Sequence, residues 1–175
     1  MSTEHTEIAN QKRLGKVPQT AGRIHEKETT MASNEEIVRN LYEVAEKEPK
    51  RFRSLFTENG YWWDVPGGVK YTGDEVAHAA DIYSTAFPDM HRELHDVYVD
   101  GDVVVVRLTL HGTHLGDLPT PLGTIPATGK EFHAPSCDVF RLEDGKVSAF
   151  ECYYAGTILL GQIGVLGNLE ASLRK

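Results

Sequence analysis

Apolar positions are sparse and aperiodic up to residue 32, follow helical spacing from residue 33, and begin to alternate near residue 93. Ile8, Leu14, Val17 and Ile24 are nearly all that the first 32 residues offer to a core. Such a segment cannot bury enough surface to offset its ordering entropy. Residues 1–32 are therefore expected to form a disordered arm, with a targeting or appended extension as alternatives, and residues 33–175 the folded domain. Ser33-Asn34-Glu35-Glu36 has the form of a capping box, in which Ser and Glu satisfy amides at a helix start. Ile37, Leu41, Val44 and Ala45 continue that helix, which Pro49 closes. A shorter helix over 50–56 turns Phe52, Leu55 and Phe56 inward. Asn59-Gly60 is expected to break it, and Tyr61–Val65 to form a short strand ending at Pro66-Gly67-Gly68. A third helix runs from Asp74 to Phe87, before Pro88.

Downstream, Glu93–Val99 alternates, Asp100-Gly101-Asp102 reads as a turn, and Val103–His114 as a long β-branched strand. Leu115–Gly129, rich in Pro and Gly, is expected to be a long loop. Glu131–Leu142 and Val147–Ala155 read as strands joined by a turn at Glu143-Asp144-Gly145-Lys146. Thr157–Leu173 closes the chain as a glycine-interrupted helix burying Leu159, Leu160, Ile163 and Leu166. Helices followed by an antiparallel meander indicate an α+β fold with helices on one face of a curved sheet.

Composition narrows the function classes. The 175 residues carry 18 Lys and Arg against 26 Asp and Glu, a net charge of −8. The arm is nearly neutral, with five basic side chains (Lys12, Arg13, Lys16, Arg23 and Lys27) against four acidic ones (Glu4, Glu7, Glu26 and Glu28), so the acidity belongs to the folded part. An acidic chain without a basic block lacks the charge that supplies most nucleic-acid affinity. The longest apolar run, Val103–Val106, is far short of the ~20 residues a membrane helix needs. No apolar stretch in the first thirty residues suggests a secretory signal. Cys137 and Cys152 are too few for a disulfide framework or a four-thiolate zinc site, and are expected to be reduced. The expectation is a cytoplasmic protein without nucleic-acid or membrane partners.

Several short motifs occur in a familiar order. They are Ala86-Phe87-Pro88-Asp89, Val105-Val106-Arg107-Leu108-Thr109-Leu110, Gly112-Thr113-His114-Leu115-Gly116, Pro126-Ala127-Thr128-Gly129-Lys130, Phe140–Val147 and Gln162-Ile163-Gly164. Spanning residues 34–167, the set resembles the SnoaL-like polyketide and ester cyclases, within the folds similar to nuclear transport factor 2 and ketosteroid isomerase. The resemblance implies a cone-shaped α+β barrel: a curved antiparallel sheet packed on three N-terminal helices, with a C-terminal helix. It also implies a deep pocket, cofactor-independent chemistry and a homodimer formed sheet to sheet. Family members that cyclise carry an Asp seven residues before the motif Gln, with a Trp four before that Asp. Here those positions hold Ala155 and Glu151, so that acid/base carboxylate does not transfer.

Alternation places Glu151, Tyr153 and Ala155 on one strand face, which the resemblance assigns to the pocket. Glu151 is then the candidate replacement carboxylate, with a salt-bridged or solvent-facing Glu as the alternative. A two-residue turn at Asp144-Gly145 would set Asp138 opposite Glu151 and Cys137 opposite Cys152, giving a carboxylate pair with one raised pKa. A three-residue loop with a bulge would shift that pairing by one. Among eight histidines, His111 is a candidate acid or base and His133 a candidate acid, base or ligand contact, while His114 is expected to order its loop. No metal-ligand spacing appears, so no metal and no cofactor are expected. Trp63, Phe87 and Tyr153 are candidate walls for a small apolar or aromatic metabolite, alongside Trp62 and Tyr154. The leading reading is a cofactor-independent acid/base enzyme, a lyase or isomerase that cyclises, isomerises or dehydrates a carbonyl or polyketide-like compound. The alternatives are a non-catalytic binder that lost its Asp at Ala155, and a protein-interaction module.

Overall fold

The computed structural model describes residues 32–166. The expected arm and the part of the expected closing helix beyond residue 166 lie outside the described residues; within them that helix ends at Gln162 rather than running on, and Leu166, expected to be buried, is exposed.

Helix α1 (Asn34–Lys47) starts on the capping box: the Ser33 hydroxyl accepts from the Glu36 amide, and the Glu36 carboxylate accepts from the Ser33 amide. It buries Val38, Leu41, Tyr42 and Val44. A 3₁₀ helix (Pro49–Leu55), with Pro at its start, buries Phe52. Strands β1 (Phe56–Asp64) and β2 (Val69–Thr72) pair antiparallel, and α2 (Glu75–Ala86) follows. Next come β3 (His91–Asp100), β4 (Val103–Thr113), a small ribbon of β5 (Leu118–Thr120) and β6 (Gly123–Ile125), β7 (Glu131–Glu143), β8 (Lys146–Tyr154) and α3 (Gly156–Gln162).

The main sheet runs β2-β1-β8-β7-β4-β3. All its ladders are antiparallel except β1 on β8, which is parallel. Two expectations are revised here. Asn59-Gly60 does not end an element: β1 runs through it, irregular where Phe56 pairs with Val147 and Tyr61 already pairs with Ala149. The Pro/Gly-rich segment is not wholly loop, since β5 and β6 pair within it.

Alternation sorts the sheet into two faces. The inner face carries Val104, Val106, Leu108 and Leu110 of β4, Phe132, Ala134 and Phe140 of β7, and Phe150 and Cys152 of β8, all buried under the helices. Phe140 stacks on Phe150 with centroids 4.6 Å apart, and Tyr42 meets Phe140 edge-on at 5.7 Å. Truncating a ring so placed costs about 3–5 kcal/mol. The β7–β8 turn has left-handed Asp144 (φ 49°) and Gly145 (φ 75°), as a tight two-residue hairpin requires. Glu143 pairs with Lys146 and Leu142 with Val147, but Ser148 is then an extra residue, and Arg141 pairs with Ala149. That bulge decides the rest of the register: Asp138 faces Cys152, and Val139 faces Glu151.

Candidate active site

Under the inner face the helices leave a cavity in connected parts. The outer part, about 690 Å³, is walled by the β5–β6 ribbon, α3 and the end of β1. A smaller chamber of about 50 Å³ lies deeper, and both share Asp64, Tyr83, Phe87, Tyr154 and Leu159 as lining. A further recess of about 40 Å³ between α1 and α2 shares Trp62, Met90 and Arg92 with that chamber.

Two buried carboxyl groups line the chamber, Asp64 and Asp138, 3% and 1% exposed. Asp64 is the last residue of β1, placed inward by alternation from Trp62. Its Oδ1 accepts the Gly67 amide at 2.9 Å, and its Oδ2 accepts the Tyr83 hydroxyl of α2. Burial, with Asp64 close by, pushes the Tyr83 and Tyr154 hydroxyls well above the usual tyrosine range, so both stay hydrogen-bond donors. Asp138 accepts the Tyr42 hydroxyl on Oδ2 and the Ser136 hydroxyl on Oδ1, both at 2.8 Å. Burial nevertheless holds its carboxyl above the ordinary aspartate value, which favours the neutral, proton-carrying form. Burial and Asp138 also raise the neighbouring Cys152 thiol, which therefore stays protonated.

Of the residues singled out from sequence, Asp138, Phe87, Trp62 and Tyr154 line this cavity. Glu151, Tyr153, Trp63, His111 and His133 lie on the opposite sheet face. Glu151 there accepts the hydroxyls of Tyr61 and Tyr153, each at 2.8 Å. The expected Asp138–Glu151 pair is corrected: the bulge at Ser148 puts the two carboxyls out of register and on opposite faces. Placing Glu151 on the pocket side carried strand alternation through Ala155. Ala155 has left the strand to precede α3, with φ −74° and ψ 76°, so its facing the cavity says nothing about Glu151. His111 Nδ1 sits 2.6 Å from His133 Nδ1, and His111 Nε2 lies 3.2 Å from Glu93 Oε2, on that outer face. Lys70 Nζ caps the Tyr61 ring at 3.5 Å and lies 5.9 Å from the Trp63 ring. His114 is fully buried, packs on Phe87 at 5.3 Å, and its backbone exchanges hydrogen bonds with Gly129 and Lys130, which orders the loop. The cysteines are unpaired, Cys137 exposed and Cys152 buried. Among the described residues no group of three or more His, Cys, Asp or Glu has metal-holding geometry, and no helix is long and apolar enough to cross a membrane.

Sequence reasoning passed over Asp64, Tyr83 and Arg92. One signal for Asp64 was present: it is two residues on from Trp62, a large apolar side chain, and one residue short of a Pro-Gly-Gly turn.

The SnoaL-like domain family matches residues 38–150, more than half of the chain. The chain belongs to the SnoaL-like family. Solved structures agree on the fold. A Catenulispora acidiphila protein with a ketosteroid isomerase-like fold superposes with a TM-score of 0.63 at 20% identity, over 80% of this chain and 98% of the other. A proposed SnoaL-like polyketide cyclase from Jannaschia gives 0.63 at 23% identity, over 76% and 92%. IdmH of Streptomyces antibioticus, a proposed polyketide cyclase, gives 0.62 at 21% identity, over 77% and 100%. No curated protein sequence matches at a significant level. The SnoaL-like chain thus has the fold of these structures, with alanine rather than a carboxylate at position 155.

Proposed function

We propose that the chain is a cofactor-independent acid/base enzyme that moves a proton on a carbonyl compound, as in cyclisation or isomerisation. Asp64 takes the proton at the junction of the outer cavity and the inner chamber. The carboxyl of Asp138, whose neutral form burial favours, donates a hydrogen bond to the carbonyl oxygen as enolate charge develops. The observation that carries this reading is that two buried carboxyls line one small chamber, with burial raising the pKa of Asp138. General-acid chemistry needs such a neutral carboxyl, and general-base chemistry needs the other one ionised. Asp64 lines the same outer cavity as Ala155, so it supplies from β1 a carboxylate that the last strand lacks.

Tyr83 and the Gly67 amide fix the direction of the Asp64 carboxyl. Tyr42 and Ser136 do the same for Asp138. The outer cavity, walled by Leu118, Ile125 and Leu160, is wide enough for an aromatic or polyketide-like ring system. The test is α-hydrogen exchange of 2-tetralone in D₂O, followed by proton NMR. The chain is expected to accelerate exchange, and Asp64→Asn to lower that rate by about 10²–10⁴-fold. No acceleration by the unaltered chain, or full activity in Asp64→Asn, overturns the reading. A pocket that only binds its metabolite would show the first of these outcomes.

A further inference from the structure

The inner chamber is too small for a ring, and its wall is largely apolar apart from a few buried polar groups. Its 50 Å³ holds a few water-sized groups at ~10–15 Å³ each, which is the scale of one planar substituent. Arg92, at the start of β3, lines both this chamber and the recess beside it. Its side chain is only 14% exposed. A guanidinium has five N–H donors, and so buried a charge is expected to be fully paired. Among the described residues the one carboxylate within ion-pair distance is Glu46, at a long 3.4 Å from Nη1, while the more distant Asp138 feels the guanidinium charge only weakly against its own burial. The same Glu46 oxygen already accepts the Arg92 backbone amide at 2.9 Å. The guanidinium lies 5.6 Å from the Tyr42 ring, the residue that holds Asp138. A second observation is independent of this one. Trp62, 8% exposed, walls both small spaces, and its indole N–H is buried with no acceptor. A buried donor left without a partner carries its full desolvation cost, which an incoming acceptor relieves.

We propose that the inner chamber is a carboxylate subsite, with Arg92 as its charged anchor and the Trp62 indole N–H as a further donor. The substrate class is then an aromatic or polycyclic oxo acid, its ring in the outer cavity and its small acidic substituent inside. The substrate assignment rests on the proton-transfer reading of the same cavity; the anion subsite itself does not. Burial, which raises the Asp138 pKa, weakens its repulsion of an anion. Asp64 lies at the junction with the outer cavity, where the reacting carbon would sit.

The test uses the full-length chain and two probes of equal non-hydrogen atom count, 2-naphthoate and the uncharged 2-acetonaphthone, titrated by calorimetry. The carboxylate is expected to bind about 10-fold or more tightly than the ketone. Arg92→Met and Arg92→Gln are expected to abolish that preference, Arg92→Lys to retain part of it, and Asp64→Asn to preserve or enlarge it. A melting curve checks that each variant folds, and the two neutral replacements allow for one that does not. The proposal is overturned by equal or tighter binding of the ketone, by a preference that survives in the folded neutral variants, or by no saturable binding of 2-naphthoate below about 1 mM. If 2-tetralone exchange fails while the carboxylate preference holds, the catalytic reading falls and the subsite stands. The reverse result removes the subsite alone.

Discussion

Tyr42 of α1 donates a 2.8 Å hydrogen bond to Asp138 of β7, 96 positions away in the chain. The bond ties the first helix to the centre of the sheet at a point where both groups are buried. It holds in place a carboxyl that burial alone would leave expensive to desolvate. Tyr42→Phe removes one hydroxyl while keeping the ring that meets Phe140 edge-on. The expected cost is about 1–2 kcal/mol of folding stability, read from urea unfolding. Carbonyl turnover should fall with it, by about 10-fold, because Asp138 loses one of its two orienting partners. Unchanged stability would show that the bond is not made in solution.

Asp138 also sets a pH dependence whose sign is fixed by its direction of shift. Because its folded pKa is raised, the folded chain keeps a proton that the unfolded chain has released. That stabilisation is complete below the unfolded aspartate pKa of about 3.9 and is lost as pH climbs through the raised folded value. Within that window the slope approaches about 1.4 kcal/mol per pH unit. Asp138→Asn cannot titrate, so the stability difference between the two proteins should change steadily with rising pH against the parent. Glu36 and Asp89, whose pKa values are lowered by hydrogen bonds with Ser33 and Thr113, act in the opposite sense but cancel in the comparison. A pH-independent difference would sink this assignment.

The helices and strands were readable because their signals are local. The capping box at Ser33 and the alternation through Val103–His114 each depend on a few neighbouring residues. The active site was only partly readable. Asp138 entered as the expected partner of Glu151, a pairing the structure does not make, and Phe87 as an aromatic near the expected cavity. Glu151 was placed on the wrong face because alternation was carried back from Ala155, which has left the strand, and its pairing with Asp138 failed because one extra residue, Ser148, shifts the register beyond it. No local pattern marks that bulge, which forms only when β7 and β8 pair. Arg92 and Tyr83 were missed because their roles come from chain segments far apart: Glu46 and Tyr42 beside Arg92, Asp64 beside Tyr83.

Glu151 offers a clean contrast with the cavity carboxyls. Its two oxygens take the Tyr61 and Tyr153 hydroxyls on the outer face, away from Asp64 and Asp138. Glu151→Gln keeps an acceptor for one of them and removes a charge that is partly solvated. The expected outcome is 2-tetralone exchange within about two-fold of the parent and a stability change under about 1 kcal/mol. A loss as large as that of Asp64→Asn would return Glu151 to the chemistry.

Gly67 is where backbone space and the proposed base meet. Its amide donates to Asp64 Oδ1 at 2.9 Å, and a Cβ built on it would overlap the same carboxyl group at Oδ2. Gly67 is not among the left-handed glycines, so alanine is not excluded by the backbone conformation. The clash must therefore be relieved by turning the Asp64 side chain, which would disturb its bond with Tyr83, or by moving the Pro66-Gly67-Gly68 turn. Misplacing a reacting group by about 1 Å can cost on the order of 10²-fold in rate. Gly67→Ala should accordingly lower kcat strongly while the chain still binds 2-naphthoate, since Arg92 and Trp62 do not touch the turn. Melting should shift by only a few degrees, because the strain falls on one side chain at the cavity wall rather than on the core. Unaltered kcat with a normal fold would mean that the Asp64 carboxyl has no fixed direction during the reaction, and that the 2.9 Å amide contact does not position the base.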